Sequence, residues 1–261
     1  MTTWILLRGL TRGTGHWGDF LPRFQQAFVN DSLLPLDFPG NGALHLQQSP
    51  TTVQAMVEHC RQQLADLGLQ PPYRIVALSM GAMVAVAWAH DYPQEISHQV
   101  LINTSLRPIN PFYQRLRPGN YPRLLRLMLG GTDARHWEQT LWHMTSRRSP
   151  PDTVDGWVRL RQQHPVKPFN AMRQLWAASR FVAPPTPPKT PTLLLASTSD
   201  GLVSVECSRS IARQWKWPLL EHPQAGHDLP LDDGPWVVDQ ILNWQSVLAN
   251  EPASAVIPDR C

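Results

Sequence analysis

The stretch Arg74-Ile75-Val76-Ala77-Leu78-Ser79-Met80-Gly81-Ala82-Met83-Val84-Ala85 joins a short apolar run of β character to a run of small, helix-forming residues, with a serine at the joint. A strand that turns sharply into a helix lifts the residue at the turn out of the sheet. When that residue is a nucleophilic serine, the turn takes the form Gly-x-Ser-x-Gly. Ala77 stands at the first glycine position and is small enough for a tight turn, while Gly81 holds the second. The competing reading is a buried strand-to-helix junction whose serine is incidental, and the fragment alone does not separate the two.

A serine hydroxyl is a weak nucleophile at neutral pH and needs a general base, which in turn needs an orienting partner. Toward the C-terminal end, Gly226-His227 follows the apolar run Pro218-Leu219-Leu220, which places His227 in a loop just beyond a strand. Asp200 follows Thr192-Leu193-Leu194-Leu195-Ala196, a buried-strand pattern, and precedes a helical run. Both therefore fall at the carboxyl ends of strands, the edge where open α/β sheets form their sites. Asp228 and Asp232 are rival acids near the histidine, but Asp228 adjoins His227 in the chain and is badly placed to reach its ring. Asn103-Thr104-Ser105, after another strand pattern, offers no carboxylate. The chain order Ser79, Asp200, His227 differs from that of two other serine hydrolase classes. At the other end of the chain, Trp4-Ile5-Leu6-Leu7 runs into the glycine-containing loop Arg8-Gly9-Leu10-Thr11-Arg12-Gly13. Such a loop can aim a backbone N–H at a developing negative charge, and the expected donors are the amides of Leu10 and Met80.

Taken together these features resemble the α/β-hydrolase superfamily across nearly the whole chain. Arg8-Gly9 stands where most members carry His-Gly, and Asp37-Phe38-Pro39-Gly40-Asn41-Gly42 is similar to the Asp-x-Pro-Gly-x-Gly turn of that family. Two departures are Ala77 for the first elbow glycine and Arg8 for the histidine that generally braces the loop. The opening Arg-Gly-Leu-Thr-Arg followed by His16-Trp17 resembles a bacterial subgroup of undefined substrate. The resemblance implies Ser79, Asp200 and His227 as a catalytic triad, with Leu10 and Met80 as the oxyanion hole.

With 261 residues, the chain can hold one large α/β domain and an insertion. Charged residues make up only 16%, below the ~25% of ordinary domains. The net charge of +3 raises the question of nucleic acid. The arginines are scattered, however, and no basic run interleaves with aromatics as a binding stripe would, so no nucleic-acid partner is expected. Three cysteines, Cys60, Cys207 and Cys261, with no close pairing fit a reducing compartment. The first apolar run is too short for a signal peptide, and none approaches the ~18 residues of a membrane span. A cytoplasmic protein is expected. No metal-ligand spacing and no cofactor motif is present, so neither is expected. No oligomeric state is assigned. His90, His98 and His136 read as surface or packing residues. His16 reads first as a helix-start residue and second as a pocket residue.

Alternation of strands and helices implies a mostly parallel sheet of about six strands flanked by helices, the α/β-hydrolase fold. Strands are expected near Trp4–Leu7, Leu33–Leu36, Tyr73–Leu78, Gln99–Asn103, Thr192–Ser197 and Leu219–His222. Helices are expected near Trp17–Phe28, Thr52–Leu67 (capped by Thr51 or Thr52), Gly81–His90, Ser204–Gln214 and Pro235–Leu248. Because the chain begins on the strand feeding the glycine loop, the sheet should lack the antiparallel pair that precedes it in many relatives. Between proline-rich flanks, residues 106–188 break the alternation. They read as a helical cap, with Trp137, Trp142, Trp157 and Trp176 at apolar positions and an apolar pocket beneath, inserted in a core of 1–105 and 189–250. The alternative is simply more core helices. Residues 251–261 read as a flexible tail.

The expected chemistry is hydrolysis of a small-molecule carboxylic ester through an acyl-enzyme. Thioester hydrolysis, carbon–carbon bond hydrolysis, lyase chemistry and a non-catalytic ligand-binding role remain open, because one fold hosts all of them. A true lipase is disfavoured, since no interfacial helix stands out in the sequence.

Overall fold

The computed structural model describes residues 2–129 and 133–250, so the tail expected over 251–261 lies outside the described residues. In chain order the elements are β1 (Thr3–Leu7), α1 (Phe20–Ala27), β2 (Ser32–Leu36), α2 (Val53–Asp66), β3 (Tyr73–Leu78), α3 (Met80–Asp91), β4 (Ile96–Ile102), α4 (Phe112–Arg115), α5 (Tyr121–Leu129), α6 (Ala134–Thr145), α7 (Thr153–Gln163), α8 (Pro168–Arg180), β5 (Thr192–Ser197), α9 (Val205–Trp215), β6 (Leu219–His222), α10 (Leu229–Asp232) and α11 (Gly234–Asn250).

Successive side chains of a strand face opposite sides, so a strand buried on both faces must be apolar at both parities. Trp4 and Leu6 of β1 join Val76, Leu78, Val100, Ile102, Leu193 and Leu195 on one face. That face packs against Phe20, Phe24 and Phe28 at α1 and Val237, Ile241 and Trp244 of α11. Ile5 and Leu7 join Ile75, Ala77, Leu101 and Leu194 on the other, against α2, α3 and α9. Burying a side chain of this size contributes ~1.5–3 kcal/mol each, which makes these two layers the main source of stability. Helix α3 is apolar all round, and Met80 to Ala89 are all buried, as befits a helix enclosed by the sheet on one side and α2 on the other.

The six strands form one sheet in the order β2-β1-β3-β4-β5-β6, every pair parallel. No antiparallel pair precedes β1 among the described residues. The chain leaves β1 toward β2 and then returns past β1 to β3, so the loops after β1 and β3 diverge from neighbouring strands. Such a reversal opens a crevice at the carboxyl edge of the sheet.

Several boundaries differ from the sequence expectations by a few residues, among them the start of β4 at Ile96 and the ends of α11 at Gly234 and Asn250, and three have evident local reasons. Helix α1 starts at Phe20 rather than Trp17, because Thr14–Trp17 form a separate 3-10 turn and Gly18 follows at φ 49°. Strand β4 ends at Ile102, and Asn103 turns out of it at φ 46°. Met80, not Gly81, opens α3. Thr52 is the cap of α2, its hydroxyl accepting from Ala55 N at 3.2 Å. Residues 106–188 hold α4 to α8 and no strand among the described residues, apart from an isolated bridge between Arg107 and Val182.

Candidate active site

The residues singled out from the sequence converge on the carboxyl edge. Ser79 follows β3 at φ 58° and ψ −117°, a conformation that costs a non-glycine residue ~1–3 kcal/mol and persists only where its surroundings impose it. Two glycines make the turn possible. A Cβ on Gly81 would stand 2.6 Å from Leu7 O and 2.7 Å from Arg8 O, so only glycine lets α3 lie against the end of β1. A Cβ on Gly9 would stand 3.1 Å from Ser79 Cβ and 3.5 Å from its Oγ. The Arg8-Gly9-Leu10 backbone therefore passes directly over the serine. Among the described residues neither Leu10 N nor Met80 N donates a hydrogen bond within the protein. Ala77 is fully buried inside β3, where its small side chain packs in the core.

Asp200 and His227 meet, with His227 Nδ1 and Asp200 Oδ2 2.7 Å apart and both residues buried. The second carboxylate oxygen, Oδ1, accepts from Leu202 N at 2.7 Å and Val203 N at 2.9 Å. Those amides fix the carboxylate plane. No hydrogen bond joins Ser79 Oγ to the His227 ring among the described residues; such contacts often tighten only around bound substrate.

The end of β4 links the serine turn to the histidine loop. Ser79 N donates to Ile102 O at 2.9 Å, and Thr104 Oγ1 donates to Ser79 O at 3.0 Å. Asn103 Nδ2 donates to His227 O at 2.8 Å and to Gly226 O at 3.2 Å, while its Oδ1 accepts from Ser197 N at 2.8 Å. In the sequence, Asn103-Thr104-Ser105 stands out only for lacking a carboxylate. Three buried polar residues directly after an apolar strand were the available signal for this clamp.

Arg8, which departs from the histidine of the resembled family, is itself a brace. Its guanidinium meets Asp228 through two bonds, at 3.0 and 2.5 Å, both side chains nearly fully buried, and lies 4.8 Å from the Trp17 ring centroid. Asp228 thus ties the glycine loop to the loop of His227. Asp232, the other rival acid, accepts from Gly226 N at 2.7 Å and from Arg147 N and Ser149 N.

The turn after β2 supports the same loop from below. Asp37 Oδ1 accepts from Thr14 N at 2.7 Å and Oδ2 from Ala43 N at 2.8 Å, and Asn41 Nδ2 donates to Arg12 O at 3.1 Å. Burial pushes the Asp37 carboxyl above its usual range, partly offset by those two amides. His16 closes the 3-10 turn, with Gly13 N donating to its Nδ1 at 3.2 Å. Burial, then the nearby Arg12 and Arg8 charges, hold the His16 imidazole well below its ordinary range. His16 lies within the 3-10 turn and not at the start of α1, and it lines a cavity of about 170 Å³ with Thr11, Leu160 and His164. Trp157 and Trp137 stack on Arg12 (4.0 Å) and Arg161 (4.1 Å). A second, open groove of about 600 Å³ runs beside Gly201 and Ser204.

Buried polar contacts bind the inserted helices to this edge. Gln174 of α8 accepts from Thr11 N at 2.8 Å and donates to Asn41 Oδ1 and Ser49 Oγ. Arg12 meets Glu138 of α6 at 2.6 Å. Cys60 and Cys207 are buried free thiols, Cys207 pushed up to about 12 by burial, consistent with packing roles. No group of side chains arranged to hold a metal occurs among the described residues.

A fold of parallel strands with a strained serine at a strand-to-helix turn and a buried histidine–carboxylate pair defines a class. A family model described as the alpha/beta hydrolase family matches residues 5–240, and the chain belongs to that family. Solved structures of similar fold include a candidate lipase from Acinetobacter baumannii AYE, 21% identical over 95% of this chain and 84% of that one, with a TM-score of 0.77. An esterase from Thermogutta terrifontis is 19% identical over 95% and 90%, with a TM-score of 0.74. A 2-hydroxy-6-oxo-6-phenylhexa-2,4-dienoate hydrolase from Rhodococcus sp. strain RHA1 is 17% identical over 94% and 90%, with a TM-score of 0.73. No curated protein matches the chain. No helix among the described residues is long and apolar enough to cross a membrane.

Proposed function

We propose that this chain is a serine hydrolase that cleaves carboxylic esters, with Ser79 as nucleophile, His227 as general base and Asp200 as the acid that orients the imidazole. The observation that carries the reading is the buried 2.7 Å bond between His227 and Asp200 at the same sheet edge as the strained Ser79. In this mechanism His227 Nε2 takes the hydroxyl proton as Ser79 Oγ bonds to the ester carbonyl carbon. The amides of Leu10 and Met80, which have no acceptor within the described protein, hold the oxyanion. The tetrahedral adduct collapses, the C–O bond to the alcohol breaks, and the alcohol departs with the proton from His227. Water, deprotonated by His227, then attacks the acyl-serine and releases the acid, restoring the serine proton. Helices α4 to α8 act as a cap, a reading supported by their position between β4 and β5 and their bonds to the loops after β1 and β2. Lipase and esterase structures among the fold neighbours agree with ester chemistry.

Hydrolysis of p-nitrophenyl esters from acetyl to long acyl, by wild type and Ser79→Ala, tests the reading. Loss of the nucleophile should reduce turnover by about 10⁶-fold, with an unchanged melting temperature. A folded Ser79→Ala protein that retains turnover would overturn it. A folded wild type inert toward every ester would also overturn it and redirect the search to thioesters or carbon–carbon bonds.

A further inference from the structure

The basic residues are unevenly shared along the chain. Residues 106–188 hold thirteen arginines and lysines against four carboxylates, while the remainder of the chain holds ten against sixteen. The inserted helices are thus a strongly basic body on an acidic core. From Gly156 to Ser199 there is no carboxylate at all.

The insert also carries the exposed aromatic surface. The large aromatic residues exposed among those described are Phe112, Tyr113, Tyr121, Phe169 and Trp176, and all five belong to it. Helix α8 shows how this comes about. Its inner face, Asn170, Ala171, Gln174, Ala177 and Ala178, is buried, with Asn170 and Gln174 held by the loops after β1 and β2. On the opposite side Phe169, Met172 and Trp176 recur at three- and four-residue spacing and are 57%, 54% and 54% exposed. Arg180, exposed, lies 5.1 Å from the Trp176 ring, and Arg173 lies 5.5 Å from the Phe169 ring while donating to Ser49 O. Arg115 of α4 donates to Ala178 O at 2.6 Å, which ties the short helix α4 to the last turn of α8.

A helix locked by its polar inner face gains nothing in folding from a phenylalanine, a methionine and a tryptophan on its outer face. A stripe of large apolar side chains flanked by cations is instead the pattern of a helix that lies in a lipid interface, apolar groups in the acyl boundary and cations among anionic headgroups. We propose that the outward face of α8, with α4 beside it, docks on an anionic phospholipid bilayer. The charge excess supplies long-range attraction, and Phe169, Met172 and Trp176 supply the insertion that an acidic protein or a nucleic acid would not require. Docking would turn the cap toward the lipid, the place from which an acyl ester could reach the site. The docking claim itself is independent of the Ser79 chemistry.

Co-sedimentation with phosphatidylcholine vesicles, with and without about one-third phosphatidylglycerol, measures the docking directly. Wild type and Ser79→Ala should bind the anionic vesicles equally and the neutral ones weakly. Arg180→Gln should lower binding to anionic vesicles by about fivefold, the effect of one arginine near such a surface. Phe169→Ser with Met172→Ser and Trp176→Ser should lower it at least about tenfold while leaving the melting temperature unchanged, since all three side chains are exposed. Wild type left in the supernatant with anionic vesicles would overturn the proposal. So would binding that the apolar triple variant retains and heparin abolishes, which would mark a surface for polyanions or acidic proteins.

Discussion

Inside the sheet, both faces of every long strand meet apolar side chains, as where Phe24 packs between Trp4 at 5.2 Å and Phe28 at 4.4 Å. At the carboxyl edge, a few residues away, contacts are of another kind. Arg8 is buried against Asp228, Arg12 against Glu138, and the Gln174 amide among Thr11, Asn41 and Ser49. The interior is held by area removed from water, which any side chain of suitable size supplies. The edge is held by specific pairs, each of which leaves a partner stranded when broken. The fold is therefore tolerant in its middle and exacting where the candidate site lies.

The strongest test of that contrast removes Asp228. Alanine there leaves the Arg8 guanidinium buried without its counter-charge, and loss of one partner of a buried pair costs ~3–5 kcal/mol. Adding Arg8→Met should recover much of the loss, because replacing both partners by apolar groups is often near neutral. Phe24→Ala should cost a similar ~3–5 kcal/mol, but no second truncation among its neighbours will restore it. Urea unfolding of wild type, Asp228→Ala, the Arg8→Met/Asp228→Ala double, Phe24→Ala and Phe24→Ala with Trp4→Ala checks both arms. An Arg8→Met/Asp228→Ala double as unstable as Asp228→Ala alone would show that the pair matters for shape rather than for charge compensation.

The same contrast explains how far the sequence could be read. Strands β1 to β6 were legible because apolar runs bounded by turns record local burial, and the candidate serine, acid and histidine were legible because each follows such a run. Arg8 was legible only as a departure from a familiar pattern. Its partner lies 220 residues away, and no local periodicity records a pairing at that distance. Gln174 sits in an amphipathic helix where a glutamine ordinarily reads as solvent-facing, yet it is fully buried. Trp176 had the opposite fate: helical spacing placed it with Trp137 and Trp157 at apolar positions, but it faces outward while they are buried. Spacing identifies a helix face; which neighbour covers that face depends on the whole fold.

A smaller effect is expected at the joint between insert and edge. Gln174→Leu keeps the volume but leaves the Thr11 backbone amide and the Asn41 side-chain oxygen Oδ1 without their partner. Stranding buried polar groups costs ~1–3 kcal/mol each. Because Thr11 follows Leu10, the variant should also slow ester hydrolysis more than a stability loss of that size explains. Denaturant midpoints and turnover measured on the same preparation separate the two. Unaltered turnover at unaltered stability would show that α8 merely rests on the loop.

The least of these effects concerns charge at the edge as a function of pH. His16 is buried beside Arg12, Arg8 and Arg161, which together with burial disfavour its protonated form, while the Gly13 backbone bond opposes them only in part. Its folded pKa is therefore depressed, whereas an unfolded histidine titrates near ~6.5. Below that value the unfolded chain binds a proton that the folded chain resists, so the His16 contribution is unfavourable to folding in acid and disappears above neutrality. Between pH 7 and 5 it should remove at most about 2 kcal/mol of stability. Asp37, raised by burial, contributes with the opposite sign at lower pH, and half-buried His59 and His98 contribute with the same sign as His16. The measurement is consequently a difference: the loss of stability from pH 7 to 5 in wild type minus that in His16→Gln. A positive difference places the acid sensitivity at the loop over Ser79, where the pairs are exacting. No difference would assign it to the other histidines and leave the His16 turn as robust to charge as the sheet beneath it.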